Sequence, residues 1–143
     1  MKKEIWFDMD GTIANLYGVE NWLEYLIKED TTPYKIAKPL VNMNSLARVL
    51  NRLIRKGYTV NIISWTSKGG TEEYNARVAT IKREWLKKHL KSVEFTRVDI
   101  VPYGTKKGEN RYGILFDDEE RNRKEWTETA YNVENIIEIL KAL

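Results

Sequence analysis

Short, continuously apolar segments alternate along this sequence with stretches of helical periodicity. The apolar segments lie at 5–7, 59–63, 98–101, 113–116 and 129–131. One helical stripe follows the first segment and is formed by Leu46, Val49, Leu50, Leu53 and Ile54. Further stripes of helical spacing follow the second and the last segments. This alternation predicts an α/β fold with a mostly parallel sheet, because continuous apolar strands are typical of strands that helices bury on both faces.

The 143 residues suffice for one compact domain and contain no linker, repeat or low-complexity tract. We therefore expect a single Rossmann-like three-layer domain over residues 1–143, built on a five-stranded sheet. The first long helix should begin at a cap formed by Asn44 or Ser45 and end at Gly57. A shorter helix is expected at 20–28, inside a segment, 15–43, that we interpret as a short lid or minimal cap.

Composition excludes several classes of site. The chain has no cysteine and a single histidine, His89, so thiol catalysis, Cys-ligated metals and multi-His metal sites are excluded. A formal net charge of +3 suits anionic ligands but is also that of an ordinary mixed surface. No apolar run approaches the roughly 18–20 residues of a membrane span. We expect a cytoplasmic protein without membrane contact, and the oligomeric state stays open.

Polar residues stand at the carboxyl ends of the predicted strands. Asp8, Ser64 and Asp117 follow three of the apolar segments, and Lys106 and Lys107 lie in the loop after another. In parallel α/β sheets ligands bind beyond the carboxyl ends of the strands, where the strand order reverses. The sequence therefore predicts that these side chains converge on one edge of the sheet.

The segment Asp8-Met9-Asp10-Gly11-Thr12 carries two carboxylates directly after a strand. A carboxylate can attack phosphorus to form an aspartyl phosphate, and a second carboxyl can protonate the leaving group and then accept a proton from water. Gly11 permits the unusual backbone of a turn that would bring Asp10 beside a ligand. The alternative is a simple Asp-Gly turn after a buried strand.

The predicted crevice also collects acidic residues that repel one another. Two carboxylates about 4 Å apart repel by about 4 kcal/mol at an effective dielectric constant near 20, and Mg²⁺ relieves such repulsion through oxygen ligands. Asp117 and Asp118 are the remaining ligand source beside Asp8 and Asp10. The alternative for the acidic run 117–120 is a helix start that complements the helix dipole.

Hydroxyl and ammonium groups near the same edge can bind a phosphoryl group. The Ser64 hydroxyl can donate a hydrogen bond to a phosphoryl oxygen, and backbone N–H groups of the following turn can add more. Either Lys106 or Lys107 can neutralise the phosphoryl charge. The lysine stretch 104–108 lacks the spacing of a P-loop. A serine that merely ends a strand and a solvated basic loop are the alternatives.

These motifs together resemble those of the haloacid dehalogenase-like (HAD) hydrolase superfamily, in the family's order and over nearly the whole chain. The resemblance implies a Rossmann-like fold, Asp8 as nucleophile and Asp10 as acid/base, with Ser64 and Lys107 completing the catalytic set. It favours Lys107 over Lys106 because G-T-x-K resembles the motif of small relatives. It further implies Mg²⁺ bound by Asp8, the Asp10 carbonyl oxygen and Asp117, with Asp118 nearby. A second motif aspartate, Asp10, indicates phosphoryl transfer rather than dehalogenation.

Substrate predictions rest on the short lid and on aromatic residues. Larger relatives carry a cap domain, whereas 15–43 is at most a minimal lid, which predicts an open site covered by a bulky substrate or a neighbouring subunit. Gly11, Thr12, Trp65 and Thr66 are the expected substrate-binding residues, with Trp65 placed to stack on a base or to pack in the core. A basic helical stretch, which can track a phosphate backbone or form a solvated face, contains Lys82, Arg83, Lys87, Lys88 and Lys91.

We therefore expect a Mg²⁺-dependent phosphomonoesterase that acts on a nucleotide or on a phosphorylated nucleic-acid end. A phosphatase of sugar phosphates or phosphoproteins is one alternative. The other is a non-catalytic HAD-like module that binds phosphate or nucleic acid, in which loss of Asp8 or Asp10 would leave binding unchanged.

Overall fold

A computed structural model describes all residues, 1–143. The strands are β1 (Glu4–Phe7), β2 (Thr59–Trp65), β3 (Arg97–Val101), β4 (Ile114–Phe116) and β5 (Thr129–Tyr131). The helices are α1 (Trp22–Ile27), α2 (Thr32–Ile36), α3 (Met43–Arg55), α4 (Glu72–His89), α5 (Glu120–Glu125) and α6 (Ile136–Lys141), and a 3₁₀ turn spans Leu16–Gly18. All five predicted strands are present, and β2 extends one residue beyond its predicted end at Ser64, to Trp65.

The five strands form one sheet in the order β3-β2-β1-β4-β5, and every neighbouring pair is parallel. The chain moves outward from β1 in one direction through β2 and β3, then returns to place β4 on the other side of β1. The order therefore reverses beside β1, and the ends of β1 and β4 meet there. The Asp8 amide continues this pairing by donating to the Phe116 carbonyl at 3.0 Å.

The sheet is covered on both faces, which confirms the predicted α/β fold. Ile5 and Phe7 of β1 point into the larger core, which buries the apolar stripes of α3, α4 and α6. Trp6 points to the opposite face, where it packs with Ile63, Leu115 and Trp126. That second face is covered by the connection from β3 to β4 and by the end of α5. No helix is both long and apolar enough to cross a membrane.

Helix α3 begins two residues earlier than the sequence predicts. Its cap is Asn42, whose side-chain oxygen accepts a hydrogen bond from the Ser45 amide at 2.9 Å, so the expected cap at Asn44 or Ser45 is wrong. The earlier start lets Met43 pack against the core as a helical residue. Residue type alone does not separate two asparagines so close together, because both are good caps.

The segment 15–43 folds over the carboxyl ends of the strands. Leu16 and Tyr34 of this segment pack on Tyr74 and Val78 of α4 in a separate apolar cluster. Glu29 also accepts hydrogen bonds from the amide and the hydroxyl of Thr71, the residue that caps α4, at 2.9 and 2.8 Å. We call residues 15–43 the lid segment; it is held to α4 by both apolar and polar contacts.

Candidate active site

Three carboxylates meet where β1 and β4 end. Each of Asp8, Asp117 and Asp118 offers an oxygen atom, and these atoms all lie within 4.8 Å of one another. Asp8 and Asp117 are buried, with 6% and 0% of their surface exposed, while Asp118 is partly exposed. The short strands β1 and β4 place them here because their side chains follow directly on paired, buried backbone. The convergence expected from the strand ends is therefore present.

Lys107 joins two of these carboxylates from the loop after β3. Its Nζ lies 2.9 Å from Asp8 Oδ1 and 2.8 Å from Asp117 Oδ2, and its side chain is only 2% exposed. Burial alone lowers the pKa of Lys107, but the charges of Asp8 and Asp117 outweigh it and raise the pKa above its ordinary value. The ammonium is thus fixed as a permanent positive charge in the site. Lys106 is exposed, so the geometry favours Lys107 as the site lysine.

The turn after Asp8 brings a hydroxyl back onto the carboxylates. Thr12 donates from its hydroxyl to Asp8 Oδ2 at 3.0 Å and approaches Asp118 Oδ1 at 3.4 Å. Gly11 makes this turn with φ +81°, and a methyl group there would overlap the Asp118 carboxylate. Gly11 and Thr12 therefore shape the carboxylate cluster from behind and do not line the adjoining cavity.

The acidic groups are only partly neutralised. Burial, followed by the charge of Asp8, raises the pKa of Asp117 to about 6 and that of Asp118 to about 7. Asp117 also accepts hydrogen bonds from the Glu119 amide and the Asn122 side chain at 2.9 and 3.2 Å. These donors orient Asp117 without cancelling the repulsion, because one lysine faces three carboxylates.

Asp10 is paired with a lysine that sequence reasoning assigned elsewhere. Lys82 Nζ lies 2.8 Å from Asp10 Oδ2 and also donates to Ser64 Oγ and to the Trp65 carbonyl, both at 2.7 Å. Burial raises the pKa of the Asp10 carboxyl, and the charge of Lys82 offsets part of that rise. Lys82 is 1% exposed, so its assignment to an exposed basic face is wrong. The signal was its spacing, because Lys82 shares the buried stripe of Val78 and Trp85.

Contrary to expectation, the Ser64 hydroxyl does not reach the cavity. Ser64 is fully buried, its Oγ contacts Lys82, and the cavity lining does not include it. Trp65 and Thr66, the next residues, do line the cavity. Because side chains alternate along β2, Ser64 points toward α4. Of these two hydroxyl residues, only Thr66 lines the cavity.

A cavity of about 470 Å³ opens beside the carboxylates. Its floor holds Asp8, Asp10, Lys107 and Asp117, and apolar residues form much of its wall. The lid segment supplies most of these, including Leu16, Tyr17, Trp22, Leu23, Leu26, Ile27 and Tyr34. Trp65 and Tyr103 stand in the wall with ring centroids 4.8 Å apart. The lid segment therefore partly encloses the site within one chain, and further cover by a bulky substrate or a neighbouring subunit stays a prediction.

Comparison with known proteins links this geometry to a solved fold. No protein-family model matches the chain, and no curated protein matches it in sequence. Among solved structures it is similar to the D,D-heptose 1,7-bisphosphate phosphatase from Burkholderia thailandensis, with a TM-score of 0.58 and 13% sequence identity. The match covers 99% of this chain and 97% of that one. At this identity the likeness shows a shared fold that extends over both chains.

Proposed function

We propose that this protein is a Mg²⁺-dependent phosphomonoesterase that forms an aspartyl phosphate on Asp8. The observation that carries the proposal is the meeting of Asp8, Lys107 and Asp117 at the floor of a cavity, with Asp10 lining the same floor. Each group suits one task in phosphoryl transfer. The fold shared with a solved phosphatase and the HAD-like motifs support the same assignment.

The side chains divide the reaction into two steps. In the first, an Asp8 carboxylate oxygen attacks phosphorus while Asp10 gives a proton to the oxygen of the departing alcohol. In the second, Asp10 takes a proton from water, which attacks phosphorus, releases phosphate and restores Asp8. Lys107 holds its positive charge beside Asp8 throughout and offsets charge on the phosphoryl oxygens. We expect Thr66, which lines the cavity, to donate a hydrogen bond to that group.

The carboxylate cluster fits a magnesium ion. Asp8, Asp117 and Asp118 supply hard oxygen donors close together, and the Asp10 carbonyl oxygen completes the set that the HAD resemblance implies. Burial, and after it the charge of Asp8, raises the pKa values of Asp117 and Asp118, and a bound cation would favour their ionised forms. When bound, Mg²⁺ would offset negative charge on the phosphate and on these carboxylates.

The cavity favours a nucleotide among phosphate monoesters. Its volume of about 470 Å³ lies within the range of about 300–1,000 Å³ that small-molecule sites occupy. Two pairs of aromatic rings line it: Trp65 with Tyr103, and Tyr17 with Trp22 of the lid segment, whose ring centroids lie 5.0 Å apart. A planar base can stack on such rings, whereas a sugar phosphate gains less from them.

A substrate panel tests the proposal. Nucleoside 5′- and 3′-monophosphates, a 5′-phosphorylated oligonucleotide and sugar phosphates are assayed for phosphate release with and without Mg²⁺. We expect turnover of a nucleotide that requires Mg²⁺ and is lost in Asp8→Asn, while Asp8→Asn keeps a cooperative melting transition. Turnover retained in Asp8→Asn would overturn the mechanism.

The aromatic wall can be tested separately. Tyr103→Ala removes an exposed ring without opening the core. Because base stacking contributes about 1–3 kcal/mol, we expect its KM to rise at least fivefold for a nucleotide and to stay constant for a small sugar phosphate. An equal change for both would contradict base recognition, and preferential turnover of sugar phosphates by the native protein would favour the function named for the solved neighbour.

A further inference from the structure

A buried ammonium group that the proposed chemistry does not use contacts Asp10, one of the residues at the floor of the cavity. Lys82 projects from α4 toward the carboxyl end of β2, and only 1% of its surface is exposed. Its three protons have three acceptors within 2.8 Å, namely Asp10 Oδ2, Ser64 Oγ and the Trp65 carbonyl. All three acceptors belong to segments that form the candidate site. The side chain is therefore fully engaged, and every partner lies at the site.

A buried lysine at this position lowers the stability of the fold unless its hydrogen-bond partners compensate for the burial of its charge. Lys82 occupies the buried stripe of α4 between Val78 and Trp85, where a leucine or methionine would fill the space. Burying an ammonium group costs several kcal/mol, and pairing it often does no more than offset that cost. The Tyr34 ring of the lid segment lies 5.2 Å from the ammonium, which is shielded from solvent. Packing alone therefore does not account for a charged residue here.

The contact with Asp10 leaves that carboxylate in a defined orientation. Lys82 holds Oδ2, whereas Oδ1 accepts no hydrogen bond from the protein, and Asp10 lines the cavity. Asp10 lies in the turn that contains Gly11, and no other group of this turn donates a hydrogen bond to the Asp10 side chain. Without Lys82 the carboxyl would be free to rotate about its side-chain bonds. With it, one oxygen is fixed and the other is presented to the cavity.

We propose that Lys82 is a positioning residue that holds the Asp10 carboxyl so that its free oxygen faces the leaving group of the substrate. The inference rests on the proposed function, because it concerns the proton that Asp10 gives to the departing alcohol. Lys82 itself meets no substrate atom, since Asp10, Ser64, the Trp65 carbonyl and Tyr34 surround it. Its effect should therefore depend on how much the leaving group needs a proton.

Leaving-group dependence separates positioning from simple structural support. p-Nitrophenolate departs without a proton, whereas a nucleoside alkoxide does not. We would measure the burst of p-nitrophenolate from p-nitrophenyl phosphate and single-turnover release of nucleoside from the best nucleoside monophosphate. The variants are Lys82→Met, which keeps the length of the stem, and Lys88→Met as the matched control on the exposed face of α4.

In Lys82→Met we expect nucleoside release to slow at least tenfold while the p-nitrophenolate burst stays within threefold of the native rate. Lys88→Met should leave both rates unchanged. Equal slowing with both substrates, or no slowing with either, would overturn the positioning role. In an Asp10→Asn background, Lys82→Met should cause no further loss of nucleoside release, and a further tenfold loss would also overturn it.

Two controls keep the outcome readable. If Lys82→Met does not melt cooperatively above the assay temperature, Lys82→Arg, which keeps the charge and the donors, replaces it. The rate of nucleoside release should again fall more than the p-nitrophenolate burst. An equal fall in both rates would overturn the proposal. Absence of turnover in the native protein would overturn the proposed function. Native turnover with an unchanged leaving-group ratio would instead overturn the role of Lys82 alone.

Discussion

Replacing Lys107 with methionine removes the one cation that faces the carboxylate cluster. Lys107, Asp8 and Asp117 are buried, and the ammonium lies within 2.9 Å of both carboxylates. Removing one partner of a buried ion pair costs about 3–5 kcal/mol, because the remaining charge stays buried. For a domain whose total stability is about 5–15 kcal/mol, that is a large share. We expect Lys107→Met to lose about 3–5 kcal/mol at pH 7.5 without metal.

The sign of the pH dependence follows from the same groups. The pKa of Asp117 is already raised to about 6, and loss of Lys107 would raise it further. The folded variant would then take up a proton that the unfolded chain does not hold. Its stability should therefore fall as pH rises, so the deficit relative to the native protein is smaller at pH 5.5 than at pH 7.5.

Urea unfolding at both pH values measures this deficit. Lys106→Met is the matched control, because Lys106 is the exposed neighbour, and we expect it to stay within about 0.5 kcal/mol of the native protein. A deficit below about 1 kcal/mol for Lys107→Met at pH 7.5 would refute the reasoning, since an unpaired buried carboxylate pair costs more than this. Equal deficits for the two variants would refute it as well.

Three further predictions follow from the carboxylate cluster. Millimolar Mg²⁺ should stabilise the folded protein, by about 2.7 kcal/mol at a hundredfold excess over Kd, and calorimetry should show this as a higher melting temperature. Asp117→Asn should abolish the increase. An unchanged melting temperature of the native protein would contradict the magnesium site. The pKa of Asp118 is raised to about 7, so the native protein loses stability as pH rises from about 4 to 7. We therefore expect Asp118→Asn to be more stable than the native protein at pH 8 in EDTA and no more stable near pH 4. A thermal melt in which the variant is less stable at pH 8 would contradict this. Gly11 has φ +81°, so Gly11→Ala should lower the free energy of unfolding, measured by chemical denaturation, by at least about 1–2 kcal/mol. It should also weaken Mg²⁺ binding, because the added methyl group displaces Asp118. No change in either quantity would show that the turn tolerates a side chain.

The placement of the strands and of the main carboxylates was predictable from local pattern. Each apolar segment became a strand of the parallel sheet, and a parallel sheet brings the ends of its neighbouring strands together. The parallel arrangement puts Asp8 and Asp117 at the same edge of the sheet, and the pairing of β1 with β4, which the local pattern does not predict, brings them together. The resemblance to HAD proteins then assigned Lys107 its role, and the structure places that side chain between the two carboxylates.

What could not be predicted depends on tertiary packing. Ser64 and Thr66 would share one face of a continued strand, so spacing alone does not separate them. Strand β2 ends at Trp65, and Thr66, just beyond that end, lines the cavity, whereas Ser64 is buried against Lys82. The charge of Lys82 favours a position in solvent, although its helical spacing with Val78 and Trp85 puts it on the buried stripe of α4. The lid segment covers the site because Leu16 and Tyr34 pack on α4, a contact between distant parts of the chain that no local pattern reveals.

Chemical trapping of the phosphorylated enzyme tests the central claim most directly. The protein is mixed with Mg²⁺ and its best substrate, quenched in acid and reduced with borohydride, which converts an aspartyl phosphate to homoserine, and the peptides are sequenced by mass spectrometry. The account predicts homoserine at position 8 only, and none in Asp8→Asn. Homoserine at another aspartate, or rapid turnover with none at position 8, would contradict it.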